Sequence, residues 1–595
     1  MDADTTRRAL SLEALPAEIV TSILESLIPQ LPEIGETRPV SYHKLMPGEP
    51  WHDFTRCRRG LWSLCLVSRR FSAEAQPLLY RVIALLNEES MFLLFRTLVE
   101  HPLHGRWSRY FGIHLTLTRD SCIRETRRAV GRLLGTFKPA AEPKHLMVPV
   151  THALKIMSLS LPVLSTHDGD FDDVPQVIVA FMLVFLSRLE TLLLQVPICD
   201  DHPEYAALFH KAQTARHHFT AHVNEAERDL IPFERIETLL LQGDPELLDH
   251  FENEECDCEI PEVWGSQPRR YYPLFACFPR LHTLEVSTDD GAWSNIMDER
   301  PSYLTGDTTS TLYLAGIRHL YIHNSVACPR NLHQVLINAP DLQTLYMTPR
   351  RDDDFYRGPP ESTSNAHPQA LDAALTSHAR HLRHLDVGWY DVSGFESLIG
   401  PDGRLASLPD LPRLEKLCVQ LAALYGTSPA TALQTPLAEL LPPNLIELTL
   451  EDWWWSNTTT LDDMEDWGPR EKLTHYRNQR EYRRLAVQML EQFAGGFRER
   501  MTKLKKVMLL VKIPFTWVVE DGIEIGFHFG EAKRLFGEKG VEFCVEASDG
   551  IAFEAEDEMM GGGMLVAVQR PRVVQDTVMG GDDDGRGDES EWEDV

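Results

Sequence analysis

Residues 317–322 read IRHLYI, and this six-residue stretch carries the fold. Its apolar positions are Ile317, Leu320 and Ile322, and the last three residues alternate apolar, polar, apolar as a half-buried strand does. The same pattern occurs upstream as LKIMSL from Leu154, LETLLL from Leu189, IETLLL from Ile236 and LHTLEV from Leu281. Downstream it returns as LQTLYM from Leu342, LRHLDV from Leu382, LEKLCV from Leu414, LIELTL from Leu445 and LKKVML from Leu504. Helix-compatible segments such as NLHQVLINAP, ALDAALTSHA and REYRRLAVQMLEQFAGGF separate the copies. Strand alternating with helix, with few hairpin signals, predicts crossover connections and a parallel sheet in an α/β chain. The late stretch FHFGEAKRLFGEKGVEFCVEA reads as helix, glycine turn and a closing strand.

Ten copies of L-x-x-L-x-L resemble leucine-rich repeats, whose parallel strands line one face of a solenoid. Two departures predict an irregular array. Successive copies start 25 to 59 residues apart, and no copy has an asparagine three residues after its last apolar position. Pro197, Asp244, Asp289 and Ser325 stand there in four of them. The expectation is therefore an irregular leucine-rich-repeat-like unit over residues 84–575.

Before the repeats comes a helical region. In LEALPAEIVTSILESLIP, Leu15, Ile19, Ile23 and Leu27 recur every four residues, with Val20 and Leu24 widening the stripe. Pro16 suits the first helical turn, and Pro29 stops the helix. A Pro-, Gly- and charge-rich insert, roughly residues 31–59, precedes a second helix with Leu61, Leu64, Cys65, Ser68 and Phe71 on one face. QPLLYRVI then opens another short apolar element. So few helices make no sizeable core alone, so their apolar faces need the rest of the chain or another protein.

LPAEIVTSILESL followed by LWSLCLVSRRFSAEAQPLLYRVI closely resembles the F-box of fungal F-box proteins, over residues 12–83. The resemblance rests on the Leu-Pro-x-Glu-Ile opening, the Leu-Cys-Leu-Val-Ser-Arg-x-Phe centre and the Pro-Leu-Leu-Tyr close, in that order. It implies a three-helix module that docks on an SKP-type adaptor, and through it on a cullin-RING ligase core. Carried onto this chain, the adaptor contacts would be Leu15, Pro16, Ile19, Ile23, Leu24, Leu27, Cys65, Leu66, Val67, Ser68 and Leu79. The implied role is the non-catalytic, substrate-recruiting subunit of an SCF-type ubiquitin ligase, in the cytoplasm or nucleus. A scaffold that uses the F-box outside degradation is the alternative, and a hydrolase or metalloenzyme on the C-terminal unit is a third.

Composition narrows the partners. The 595 residues carry a formal net charge of −31, which repels phosphate backbones and disfavours nucleic acid. The longest apolar run, Val177 to Leu186, is ten residues, about half of a bilayer span, so no membrane segment is expected. Ten scattered cysteines read as reduced thiols, and Cys256-x-Cys258 lacks a second pair at zinc-site spacing. From Asp576 to Val595 there are nine acidic residues and one arginine, which predicts a disordered acidic tail.

Strand positions between the buried ones should face a ligand: His319, Tyr321, His323, Tyr346, His384, Asp386 and Glu447. Loops following the strands combine carboxylates with aromatics. They supply a candidate substrate site of Asp353, Tyr356, Trp389, Tyr390, Asp391, Asp452, Trp453 and Trp454. Such groups suit a basic peptide through ion pairing and cation–π contact. No H-E-x-x-H, G-x-S-x-G or Walker-type glycine loop is present, so no catalytic, cofactor or metal site is expected. His218 and His222 share a helical spacing without a further ligand at convincing distance.

Overall fold

The computed structural model describes residues 15–28, 49–85, 88–113, 179, 182–195, 233–242, 275, 278–287, 314–325, 335–349, 368–387, 404–425, 434–451, 484–511, 529–547, 553–556 and 564–567. Among the described residues, three helices come first: α1 (Ala17–Glu25), α2 (Glu49–Val67) and α3 (Arg69–Leu79). Then come β1 (Val82–Leu85), α4 (Glu88–Glu100), a 3-10 turn (Pro102–Trp107) and β2 (Tyr110–Ile113). Strands β3 (Thr191–Gln195), β4 (Thr238–Gln242), β5 (Thr283–Ser287), β6 (His319–Ser325) and β7 (Thr344–Pro349) follow. After α5 (Pro368–His378) lie β8 (His384–Val387), β9 (Lys416–Gln420) and β10 (Glu447–Glu451). The helix over residues 484–496 is α6, and β11 (Lys506–Val511), α7 (Gly530–Glu538) and β12 (Glu542–Ala547) complete the unit. Phe553–Glu556 and Met564–Ala567 form a separate antiparallel pair.

The chain is α/β with a 12-stranded parallel sheet in which every strand neighbours the next in sequence. Nine of the ten quoted repeats supply β3 to β11, and the copy at Leu154 lies outside the described residues. The middle leucine position of each repeat aligns across the sheet. Ile83, Phe111, Leu192, Leu239, Leu284 and Leu320 continue through Leu345, Leu385, Leu417, Leu448, Val507 and Phe543 as one apolar row. With the helices laid against it, this row forms the core, and its leucines are essentially excluded from water. A slip of one residue in any strand would turn its leucines onto the other face, so the pattern itself pins register.

Two backbone features repeat along the array. A buried apolar residue stands three positions before each of the nine described repeats, and in several a backbone bond closes a turn between the two, as in Leu189 N–H to Leu186 C=O (3.1 Å), Leu281 to Phe278 (3.1 Å) and Leu342 to Ala339 (3.1 Å). The working unit is therefore longer than L-x-x-L-x-L. Ahead of each strand, one carbonyl also accepts two N–H groups from the next strand's approach. Arg318 C=O takes Gln343 and Thr344 N–H at 2.7 and 2.9 Å, and Arg383 C=O takes Glu415 and Lys416 at 2.8 and 2.9 Å. The same arrangement recurs from Arg81 to Ile446, using both lone pairs of each oxygen. This ladder supplies regular closure at one end of the strands without a side-chain ladder.

Residues 530–547 follow the expected helix, glycine turn and strand. Gly540 has a φ of 69°, a conformation that costs glycine nothing, between α7 and β12. Phe536 on α7 stacks on Phe543 of β12 at 5.2 Å and meets Phe493 and Phe497 at 5.8 and 5.7 Å, capping the apolar row.

The N-terminal region differs from expectation in two ways. Helix α2 begins at Glu49 rather than after Arg59, so residues 49–59 of the expected insert are helix. Its Phe54 explains why. The ring is buried on the second face of the sheet with Val82, Ala84, Tyr110 and Leu193, and Ile28 and Leu240 pack alongside. Pro16 stands just before α1 rather than inside it, with its carbonyl accepting from Ile19 and Val20 N–H at 3.1 Å. The helix ends at Glu25, earlier than Pro29, because Leu27 and Ile28 N–H turn back to Leu24 and Glu25 carbonyls. The acidic tail lies outside the described residues.

Candidate functional site

Helices α1 to α3 share a small core of Val20, Leu24, Leu61, Phe71 and Ala75, with Leu15, Leu27, Leu64, Cys65, Leu78 and Leu79 packed against it. Arg70 ties the unit together, its guanidinium donating to Leu15 C=O at 3.2 Å and to Glu74 at 3.3 Å. Ser68 caps α3 by accepting from Phe71 N–H at 3.4 Å. These contacts divide the residues singled out in the sequence. Leu24 is wholly internal, while Leu15, Leu27, Cys65 and Leu79 are partly internal and Ser68 is spent on the cap. Pro16 is exposed, and so are Ile19 (49%), Ile23 (43%), Leu66 (68%) and Val67 (60%).

Trp62, 48% exposed, belongs with the exposed group and was not singled out from the sequence. Its signal was its i, i+4 relation to Leu66, which puts both on one face of α2. Ile19 and Ile23 have the same relation on α1. Each helix thus buries one apolar face and shows another to solvent.

On the second face of the sheet, β5 to β10 present polar side chains in register. Glu285 pairs with His323 at 3.4 Å, and the His323 ring lies 5.1 Å from Tyr346, itself 6.3 Å from Tyr321. Lys416 pairs with Glu447 at 2.8 Å. His384 is driven down to about 4 by burial and then by the Lys416 charge, so it is neutral at pH 7. His319 Nδ1 lies 3.0 Å from Thr344 Oγ1. All the strand residues expected to face a ligand do share this face. However, His323, Tyr346 and Asp386 are buried, leaving His319, Tyr321, His384 and Glu447 half-buried. Strand spacing of about 4.8 Å packs such large side chains against one another, which removes them from water.

The most unusual group on this face is Asp386, Cys418 and Glu451, one from each of β8, β9 and β10. One donor atom from each lies within 4.8 Å of the others, and all three residues are buried. The Cys418 thiol donates to Glu451 Oε1 at 3.3 Å. Burial pushes the Asp386 carboxyl up to about 7. It also pushes Glu451 and Cys418 well above their ordinary values, and in both cases Asp386 adds to the shift. Among the described residues, no other three His, Cys, Asp or Glu side chains are so placed.

The loop residues chosen as a substrate site, Asp353, Tyr356, Trp389, Tyr390, Asp391, Asp452, Trp453 and Trp454, lie outside the described residues, as do Cys256, Cys258, His218 and His222. Among the described residues, no helix is long and apolar enough to cross a membrane. Compared with known families and curated proteins, the sequence matches no family model and no curated protein.

Proposed function

We infer that this chain recruits substrates to an SCF-type ubiquitin ligase, with α1 to α3 acting as an F-box and the strand array as an irregular leucine-rich-repeat-like solenoid that holds a protein substrate. The observation that carries the reading is the exposed apolar set Ile19, Ile23, Trp62, Leu66 and Val67, on helices whose own core is already filled. Large apolar side chains left in water on two packed helices fit burial by a partner protein. The resemblance of the three ordered sequence signatures to an F-box implies that this partner is an SKP-type adaptor, which would link the chain to a cullin-RING core in cytoplasm or nucleus. Ubiquitin transfer then belongs to other subunits. The strong negative charge suits a basic substrate, captured at the acidic-aromatic loops.

Ile23→Asp combined with Leu66→Asp is the direct test. Both side chains are exposed, so the fold should survive, whereas a charge forced into an apolar interface should lower adaptor recovery at least tenfold. Undiminished co-purification of adaptor with this variant would show that the interface is elsewhere. Recovery of adaptor without cullin, under conditions that preserve neddylation, would favour a scaffold outside degradation.

A further inference from the structure

We propose that Asp386, Cys418 and Glu451 bind one divalent transition-metal ion of the zinc class, which ties β8, β9 and β10 together on the second face of the sheet. This site is independent of the ligase reading.

Three observations carry it. The donors come from three successive strands and converge within 4.8 Å, and Cys418 Sγ already stands 3.3 Å from Glu451 Oε1. Ligands of a tetrahedral zinc ion sit about 3.5 Å apart, given Zn–S near 2.3 Å and Zn–O near 2.1 Å, so only a small closure is required. The donor set is chemically selective as well. A thiolate beside two carboxylates favours zinc, cobalt or copper over magnesium and calcium, which take oxygen ligands.

The third observation is Gln420, which is 2% exposed and lies two residues beyond Cys418 on β9, directly opposite Glu451 in the strand register. Its Nε2 is buried and meets no hydrogen-bond partner among the described residues. An amide left in this state beside the cluster fits a fourth position, filled by its own Oε1 after a rotation or by a water that it holds. Without an ion, two carboxyl groups and a thiol are crowded together on adjacent strands in a water-excluded place. With one, the cation supplies the missing charge, and binding releases protons from the thiol and carboxyls.

The test uses the full-length chain, stripped with a chelator and titrated with cobalt(II), followed by elemental analysis after zinc loading. The expected result is one ion per chain, a near-ultraviolet thiolate-to-cobalt charge-transfer band, and proton release on binding. Cys418→Ser should abolish the band, and Asp386→Asn and Glu451→Gln should each weaken binding at least tenfold, with circular dichroism reporting folding in every case. If any one variant unfolds, the other two decide. No band above background in the wild-type chain, or a band that persists in folded Cys418→Ser, overturns the proposal. In the latter outcome the ion sits on another of the ten cysteines.

Discussion

Phe54 joins the N-terminal helices to the sheet, and removing its ring should loosen one from the other. The side chain is 7% exposed and packs on Val82, Ala84, Tyr110 and Leu193. Truncation of a buried phenylalanine to alanine costs about 3–5 kcal/mol from lost burial plus the cavity left behind. This site lies at a seam between two units that can partly close, which favours the lower figure. At about 3 kcal/mol, protection of the surrounding amides against hydrogen exchange should fall roughly a hundredfold, since 1.36 kcal/mol is a factor of ten. Exchange measured by mass spectrometry on peptides covering α2 and β1 reads this locally, while peptides from β7 to β11 serve as an internal reference. Trp62→Ala is the matched control. That ring is half exposed on the same helix, and its loss should change protection by less than about threefold. If Phe54→Ala leaves α2 protection within threefold of wild type, the ring does not anchor the helix, and the extended start of α2 needs another explanation.

A Cβ added at Gly105 would fall onto the Phe185 carbonyl oxygen, so Gly105→Ala should destabilise by about 1–3 kcal/mol. An unchanged thermal midpoint would mean that the Pro102–Trp107 turn does not abut Phe185. His104 in that turn stacks on His101 at 5.1 Å and Trp107 at 4.9 Å. Burial first, then the neighbouring His101 and Arg106, holds it below the ordinary imidazole value. The folded chain therefore binds fewer protons here than the unfolded one, so this contribution is complete above about pH 6.5 and is lost as the pH falls below it. Urea midpoints measured from pH 7.5 down to 5.5 should decline less in His104→Asn than in wild type, and equal declines would refute the assignment.

Some of this was legible in the chain and some was not. The repeats predicted β3 to β11 because each strand's burial is set by local alternation. Strands β1 and β2 carry the same spacing in weaker form. Tyr80, Ile83 and Leu85 fit it, but Ser108 replaces the first apolar residue before Phe111 and Ile113, and Gly112 thins the strand between them. The first half of α2 was hidden for a related reason. Its residues, EPWHDFTRCRR, have a proline at the start and five charges, and nothing local shows that Phe54 has a surface to meet.

Sequence alone fixed the class of the fold, since a leucine at every third and fifth position can be buried only on one side of a strand, and the helices between copies force parallel neighbours. It also assigned Asp386 to the face opposite those leucines. What it could not supply was company. Asp386, Cys418 and Glu451 are 32 and 33 residues apart along the chain, and Glu451 sits two positions further along its strand than the other two. Only the lateral register of three strands makes them neighbours, and only burial by surrounding side chains turns two carboxyls and a thiol from solvated groups into a site. Alternation is a local property of the backbone, whereas desolvation depends on everything packed around a residue.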